Sequence, residues 1–312
     1  MRSWRIALLA LSLPAALTCL LAPTAAWWLP GELAVHWSRH AALALIPALA
    51  AWRYHDRCTG LLLGCFLLGL WPWLTAPRMA TSPAIPAGST ELRVVSANLL
   101  AFTNDQSPGL AAVMARGADV VVLVEFRPRR ADAAIITDGR YPFRTIGPLR
   151  LGDPEDGIAV LSRYPLDQVK IDPSGLGLSV RIATPAGGVQ LIALHLTTPM
   201  GFEKRERRNR YLNHIAALVP GMSGPVILAG DWNCTEGSPA WRPIAASGLI
   251  GPEDIQSGSW PSPFGVFGIR IDHILVKHCG LQSTESFVIP KSDHRGLDAV
   301  IRLAPSAPGR SP

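Results

Sequence analysis

Leu228-Ala229-Gly230-Asp231-Trp232-Asn233 is an apolar run that ends in Gly-Asp-x-Asn, and its reading decides the fold. Side chains alternate along a strand, so Asp231 and Asn233 leave its end in the same direction while Trp232 turns away toward a core. Gly230 leaves room for close backbone approach. A carboxylate and a carboxamide so placed can orient a water or hydroxyl and can bind hard cations. The same residues also make an ordinary turn after a strand, so the pair gains meaning only from what surrounds it.

Working outward, the chain repeats the pattern. Arg93-Val94-Val95-Ser96-Ala97-Asn98 ends in an amide, Asp119-Val120-Val121-Val122-Leu123-Val124-Glu125 in a carboxylate, and Leu191-Ile192-Ala193-Leu194-His195 in an imidazole. Ile271-Asp272-His273 opens another apolar run, and Ser292-Asp293-His294 precedes a further one. A polar group buried at the end of a β-rich run costs free energy unless it is paired or metal-bound. Repetition on this scale implies one shared site.

The short β-rich runs predict strands over 92–97, 120–124, 158–162, 178–182, 189–194, 226–228, 272–276 and 297–301. Helical patterns fall over 109–116, 129–137, 202–218 and 239–246. The turn at Thr184 to Gly188 favours an antiparallel hairpin. Mixed strand pairing with helices outside makes the fold class α+β.

The ordered set Ser96-x-Asn98, Leu123-Val124-Glu125, Gly157 to Arg163, Ala193-Leu194-His195, Gly230-Asp231-Trp232-Asn233, Ile271-Asp272-His273 and Ser292-Asp293-His294 resembles the endonuclease/exonuclease/phosphatase superfamily. That group includes DNase I-like nucleases, abasic-site endonucleases, sphingomyelinases and inositol-polyphosphate phosphatases. The resemblance runs from Glu91 to Leu303, and taken with the N-terminal quarter it suggests a bacterial membrane-anchored type. It implies a four-layer α/β/β/α sandwich, two packed mixed sheets flanked by helices.

It also implies a chemistry. Glu125, Asn98 and Asp293 are the expected metal ligands, and oxygen donors without thiolates favour Mg²⁺ or Mn²⁺. Asp231 and Asn233 would position the attacking water or hold a second metal. His294 would contact a phosphoryl oxygen or move a proton, with Asp272 fixing its tautomer and raising its pKa. His195 would bond a phosphate oxygen or protonate the leaving group. Arg163 matches a family position, although Ser-Arg-Tyr-Pro can equally shape a turn. His273 and Trp232 are expected to be structural. Trp260 is open between stacking on a substrate and anchoring its loop.

Composition adds a second theme. Of 312 residues 48% are hydrophobic, and the mean hydropathy is +0.23. The excess is concentrated in Trp4 to Leu21, Leu33 to Trp52 and Leu61 to Leu74, which predict three transmembrane helices within residues 1–76. The formal charge is +6, but six arginines against Glu32 and Asp56 place +4 of it before residue 79. The remaining +2 gives little grip on nucleic acid. With Arg2, Arg5, Arg53 and Arg57 read as cytoplasmic, Trp27-Trp28 and everything after Pro77 lie on the outer side of the cell membrane. The first stretch could instead be a cleaved signal peptide.

A Pro/Ser-rich linker is expected over 77–90, the catalytic domain over 91–305, and a disordered tail over 306–312. The helix after His195 carries Glu203, Lys204, Arg205, Glu206, Arg207, Arg208 and Arg210, favoured as a solvated face, with Arg205 or Arg208 reaching the site as the sharper alternative. Cysteines number five and show no zinc spacing. A Cys234–Cys279 disulfide stays open.

The expected function is a membrane-anchored, divalent-metal-dependent phosphoester hydrolase using in-line attack of water. Its partners would be a phosphate-ester substrate (lipid head group, nucleic acid or small phosphoester) and the membrane, with no obligate protein partner. Alternatives are a metal-dependent nuclease on DNA or RNA, and a non-catalytic phosphate- or lipid-binding sensor.

Overall fold

The computed structural model describes residues 3–52, 56–131, 139–150, 153–252 and 258–305, in two compact units. The expected helix over 129–137 falls largely outside these residues, as do the Arg53 end of the charged turn and the tail after Pro305. One unit joins Met1–Arg78 to Thr198–His214 and Cys234–Ala246; the other takes the remainder.

In the N-terminal unit the helices Ser3–Leu21 and Asp56–Leu74 coincide with the first and third apolar stretches. The second stretch does not form one span. It is broken into Leu29–Val35, Ser38–Ala44 and Ile46–Trp52. Pro47 in the first turn of the last piece explains that start, since its missing N–H and fixed φ suit a helix beginning. Among the described residues no single helix is long and apolar enough to cross a membrane. Ala10–Thr24 and Leu29–Val35 meet the requirement only as a pair bent by 115°. Cys19, Ala42, Leu45, Ala48 and Leu62 form the unit's small core. Leu11, Leu13, Trp27, Leu61, Trp71 and Leu74 are each more than half exposed.

The expected solvated stripe on the helix Phe202–Leu218 needs correction. Arg205 and Arg208 are 4% and 0% exposed, and Arg208 pairs with the buried Glu32. A stripe of charges marks solvent only when no counter-ion reaches it, and Glu32, far away in sequence, does.

The second unit holds two packed mixed sheets. Its strands are β1 (Thr90–Asn98), β2 (Val120–Phe126), β3 (Phe143–Arg150), β4 (Asp153–Ser162), β5 (Leu166–Ile171), β6 (Gly177–Thr184), β7 (Gly187–His195), β8 (Val226–Asp231), β9 (Asp272–Lys277), β10 (Gly280–Val288) and β11 (Arg295–Leu303). They order as β10-β11-β1-β2-β4-β3 and β5-β6-β7-β8-β9. Each sheet has one parallel pair, β1 with β2 and β7 with β8, among antiparallel neighbours.

Alternation sorts the side chains as period-two geometry requires. Leu92, Val94, Val122 and Val160 face Leu178, Val180, Leu191 and Ile227 between the sheets. Val95, Ala97, Val121 and Leu161 face the other way, onto Leu110, Val113 and Met114 of the helix Ser107–Ala115. Burying one such side chain contributes roughly 1.5–3 kcal/mol, so register is strongly specified. A one-residue slip would exchange the two faces.

Candidate active site

Strand register assembles the site before any side chain is considered. In the five-stranded sheet His195 pairs with Asp231, and Asp231 with Asp272, so three polar residues stand in one row across β7, β8 and β9. In the other sheet Asn98 ends β1 opposite Val124, the residue before Glu125. Asn98 joins the rows: its amide nitrogen donates to Glu125 Oε1 at 3.0 Å and to Asp231 Oδ2 at 3.2 Å.

The backbone is bent to allow this. The β2–β4 register shifts between Leu123 and Phe126, and Glu125 has φ 54°. Asn233 has φ 47° and Gly230 φ 140°. Non-glycine residues at positive φ cost of order 1–3 kcal/mol each and persist only where surrounding contacts hold them. Here the contacts are visible. The Glu125 carbonyl accepts from Gln106 Nε2 at 2.6 Å, and its carboxylate from the Ala101 N–H at 2.7 Å. Asn233 is held by its N–H to Asp231 Oδ1 at 2.9 Å and by its amide nitrogen to Asp231 Oδ2 at 3.1 Å and the Leu196 carbonyl at 2.9 Å.

His294 is fixed by Asp272, with Nδ1 2.8 Å from Asp272 Oδ2, while its Nε2 lies 3.8 Å from Asp231 Oδ2. His195 Nε2 lies 3.4 Å from Glu125 Oε1. Asn98, His195, Asp231, Asn233, Asp272 and His294 are all buried. Charge in so little space moves the titrations. Burial disfavours a charged Glu125, but His195, the Ala101 N–H and Asn98 hold its carboxyl well below the usual range. Burial, then Asp272, raises Asp231 to about 7. Burial works against a charged His294, yet Asp272 and Asp231 together raise it to about 10.

The sequence-derived set is therefore brought together with three departures. Arg163 is remote: it follows β4, whose Ser162 registers with Val120 at the far end of β2 from Glu125. Its guanidinium is spent on the Gly117 carbonyl at 2.8 Å and Asp119 Oδ1 at 3.3 Å, which removes it from the catalytic set in favour of the turn-shaping reading. Asn98 presents its nitrogen, not its oxygen, to the carboxylates, since its oxygen accepts the Leu100 N–H at 2.9 Å. It is a bridge where a ligand was expected. Asp293 lies outside the two ligand clusters; its Oδ2 accepts the Trp260 indole N–H at 2.9 Å. That bond makes Trp260 a loop anchor. His273 packs edge-on against the buried Trp232, as the alternation of β9 predicts.

Gln106 was not anticipated. Its amide nitrogen bonds the Glu125 carbonyl and its oxygen takes the Arg127 N–H at 2.8 Å. Nothing in a lone Gln before a helix announces such a role. Ser292, quoted only as a motif letter, ties His294 N–H to the Asn98 carbonyl through its hydroxyl at 3.0 and 2.8 Å.

Ligand atoms of Glu125, His195 and Asp231 lie within 4.8 Å of one another, as do those of Asp231, Asp272 and His294. The donors are carboxylate oxygens and ring nitrogens without a thiolate, and Asp293 Oδ1 is buried with no hydrogen-bond partner. This set fits a hard divalent cation.

The fold is shared with solved structures of low sequence identity. An endonuclease/exonuclease/phosphatase from Beutenbergia cavernae is 21% identical, with a TM-score of 0.57 over 69% of this chain and 72% of that one. An AP endonuclease from Archaeoglobus fulgidus is 14% identical, with a TM-score of 0.52 over 67% and 98%. A Staphylococcus aureus beta toxin variant with bound magnesium ions is 16% identical, with a TM-score of 0.51 over 67% and 99%. No curated protein sequence matches the chain. The profile of the Endonuclease/Exonuclease/phosphatase family matches residues 95–294, from the middle of β1 to the histidine that Asp272 holds. The chain belongs to that family.

Proposed function

We propose that the chain is a divalent-metal-dependent phosphoester hydrolase that uses water as the nucleophile. The observation that carries this reading is the convergence of Glu125, His195, Asp231, Asp272 and His294 in two ligand clusters that share Asp231, with Asn98 bridging Glu125 and Asp231. Glu125 would hold the cation, with His195 and Asp231 in the same ligand cluster and the unpartnered Asp293 Oδ1 as a further donor outside it. When bound, the ion supplies charge neutralisation for the phosphoryl group and the leaving oxygen. Mg²⁺ or Mn²⁺ suits the donor set.

Asp231, with its pKa drawn toward neutrality, takes the proton of the attacking water, and Asn233 fixes the direction of that carboxylate. His294, protonated beside Asp272, donates to a phosphoryl oxygen where negative charge builds. His195 stands on the other side of Asp231, placed to bond a second oxygen or the leaving group. A non-catalytic sensor would have no use for this full set.

Among substrates we favour a phosphodiester presented at a lipid surface, on the outer side of a membrane that the N-terminal helices engage. Support comes from the exposed Leu and Trp side chains of those helices and from Phe102, Phe264, Val266 and Phe267, each more than half exposed. Phe102 follows Asn98 on the β1 exit, and the other three follow Trp260, whose indole bonds Asp293. The near-neutral charge after residue 78 gives little support to a duplex-binding nuclease.

The test uses the full chain in detergent with bis(p-nitrophenyl) phosphate, phospholipid vesicles, single-stranded DNA and RNA. Metal-dependent release of product is expected, with loss of about 100-fold or more in Glu125→Gln and His294→Ala. Activity that survives chelation and both substitutions would refute the assignment. Turnover of nucleic acid without lipid turnover would transfer the substrate to the nuclease class.

A further inference from the structure

Glu32 is a carboxylate buried to 1% exposure in the short apolar helix Leu29–Val35. A lone buried charge is expensive, so what compensates it is informative. Two segments distant in sequence do so. Arg208 Nη2 and Ser238 Oγ both donate to Glu32 Oε1, at 2.5 and 2.8 Å. One turn on, His36 Nε2 lies 3.5 Å from the same oxygen, and His36 Nδ1 is 2.8 Å from Thr235 Oγ1. Arg208, Thr235, Ser238 and His36 are all buried, none more than 5% exposed.

The position of these partners along the chain gives the cluster a meaning. Thr198–His214, which supplies Arg208, begins three residues after His195. Cys234–Ala246, which supplies Thr235 and Ser238, begins with the residue bonded to Asn233. Both segments are what the chain does on leaving the catalytic ends of β7 and β8. A buried ion pair is poor evidence of stability, because apolar residues of equal volume serve as well or better. What a carboxylate adds is direction: only one arrangement of guanidinium, hydroxyl and imidazole satisfies it.

We propose that Glu32 is a positioning residue for the hydrolytic site, fixing through Arg208, Ser238 and the His36–Thr235 bond the two strand exits that carry His195 and Asn233. The N-terminal quarter is then part of the hydrolase. This rests on the hydrolase reading above. A misplacement near 1 Å at a reacting group costs up to about 100-fold in rate.

The full chain in detergent is compared as wild type, Glu32→Gln and the double variant Glu32→Met/Arg208→Met, at saturating Mn²⁺. The double variant leaves no buried charge unpaired, so it keeps the test decisive even if Glu32→Gln unfolds. We expect kcat on bis(p-nitrophenyl) phosphate to fall about tenfold or more in both, with KM and the Mn²⁺ half-saturation within about twofold of wild type. A folded double variant with wild-type kcat overturns the proposal and leaves the cluster a stability element. NMR shifts of the His195 ring and the Asn233 carboxamide read the site without turnover. They should move in the double variant, and unchanged shifts overturn the proposal even for a chain that hydrolyses nothing. An inactive wild type with shifted resonances instead counts only against the hydrolase reading.

Discussion

Asp231 stands in both ligand clusters, and its neighbours set its behaviour. It accepts from Asn98 and Asn233 and faces His294, so its proton affinity follows their positions. Replacing Asp272 by Asn removes the partner of His294 Nδ1 and the leading cause of its raised pKa. Supporting partners of this kind typically cost 10- to 100-fold when lost, about that range being expected in kcat here. The alkaline limb of the pH–rate profile should move to lower pH, and an unmoved limb would exclude His294 as the titrating donor.

Stability should carry the same signature. In the fold both Asp231 and His294 bind their protons more tightly than when unfolded. Without metal, the stability they contribute is complete below their ordinary pKa values. It is lost as pH rises, through about 7 for Asp231 and about 10 for His294. A divalent cation relieves the same carboxylate crowding. It should therefore raise Tm more at about pH 8.5 than at about pH 5, as scanning calorimetry with and without chelator would show.

Residues of this kind were legible because each sits at the end of an apolar run, where a polar group needs a reason. Arg163 stays open between the site and a turn on sequence alone for the same cause: position relative to a run does not say which end of the sheet the run delivers it to. Gln106 was invisible, since its work is done on a backbone carbonyl that sequence does not display.

Among the elements, the strands anticipated from sequence are the seven inner ones and β9, an edge strand that is buried over most of its length. The three missed, β3, β5 and β10, are all at sheet edges. β5 exposes every residue after Leu166, and β10 shows its apolar side chains only in part. An edge strand that leaves a face to solvent carries polar residues there, so β5 and β10 have neither the continuous apolar run of β9 nor a clean alternation. The second apolar stretch failed in the opposite way, for hydropathy ignores the breaks that divide it.

Gly230 gives the element-scale prediction. Its φ is 140°, and a Cβ there would overlap the Leu194 carbonyl oxygen on the neighbouring strand. Gly230→Ala should therefore open the parallel β7–β8 pair and cost roughly 3 kcal/mol or more. Urea unfolding reads this directly, and a loss under about 1 kcal/mol would show that the strands part without strain.

At the scale of the molecule, a fragment beginning at Glu91 would keep every catalytic side chain yet lose Glu32. Arg208 would then be left without its carboxylate, and removing one partner of a buried pair costs about 3–5 kcal/mol. The fragment should be less soluble and lower in Tm than the full chain, and Arg208→Met should recover part of the deficit. A fragment as stable as the full chain would contradict that account. The exposed apolar side chains of the N-terminal helices predict that the intact protein sediments with membranes and needs detergent for release.

The cysteines have a use of their own. Cys234 and Cys279 are thiols outside any disulfide and in different units, each pushed by burial up to about 12 and so inert while its surroundings stay closed. In a background lacking Cys19, Cys58 and Cys65, alkylation of either sulfur would have to wait for a local opening. The two labelling rates would then act as separate clocks, timing how often each half of the protein comes apart and whether substrate slows one, the other or both.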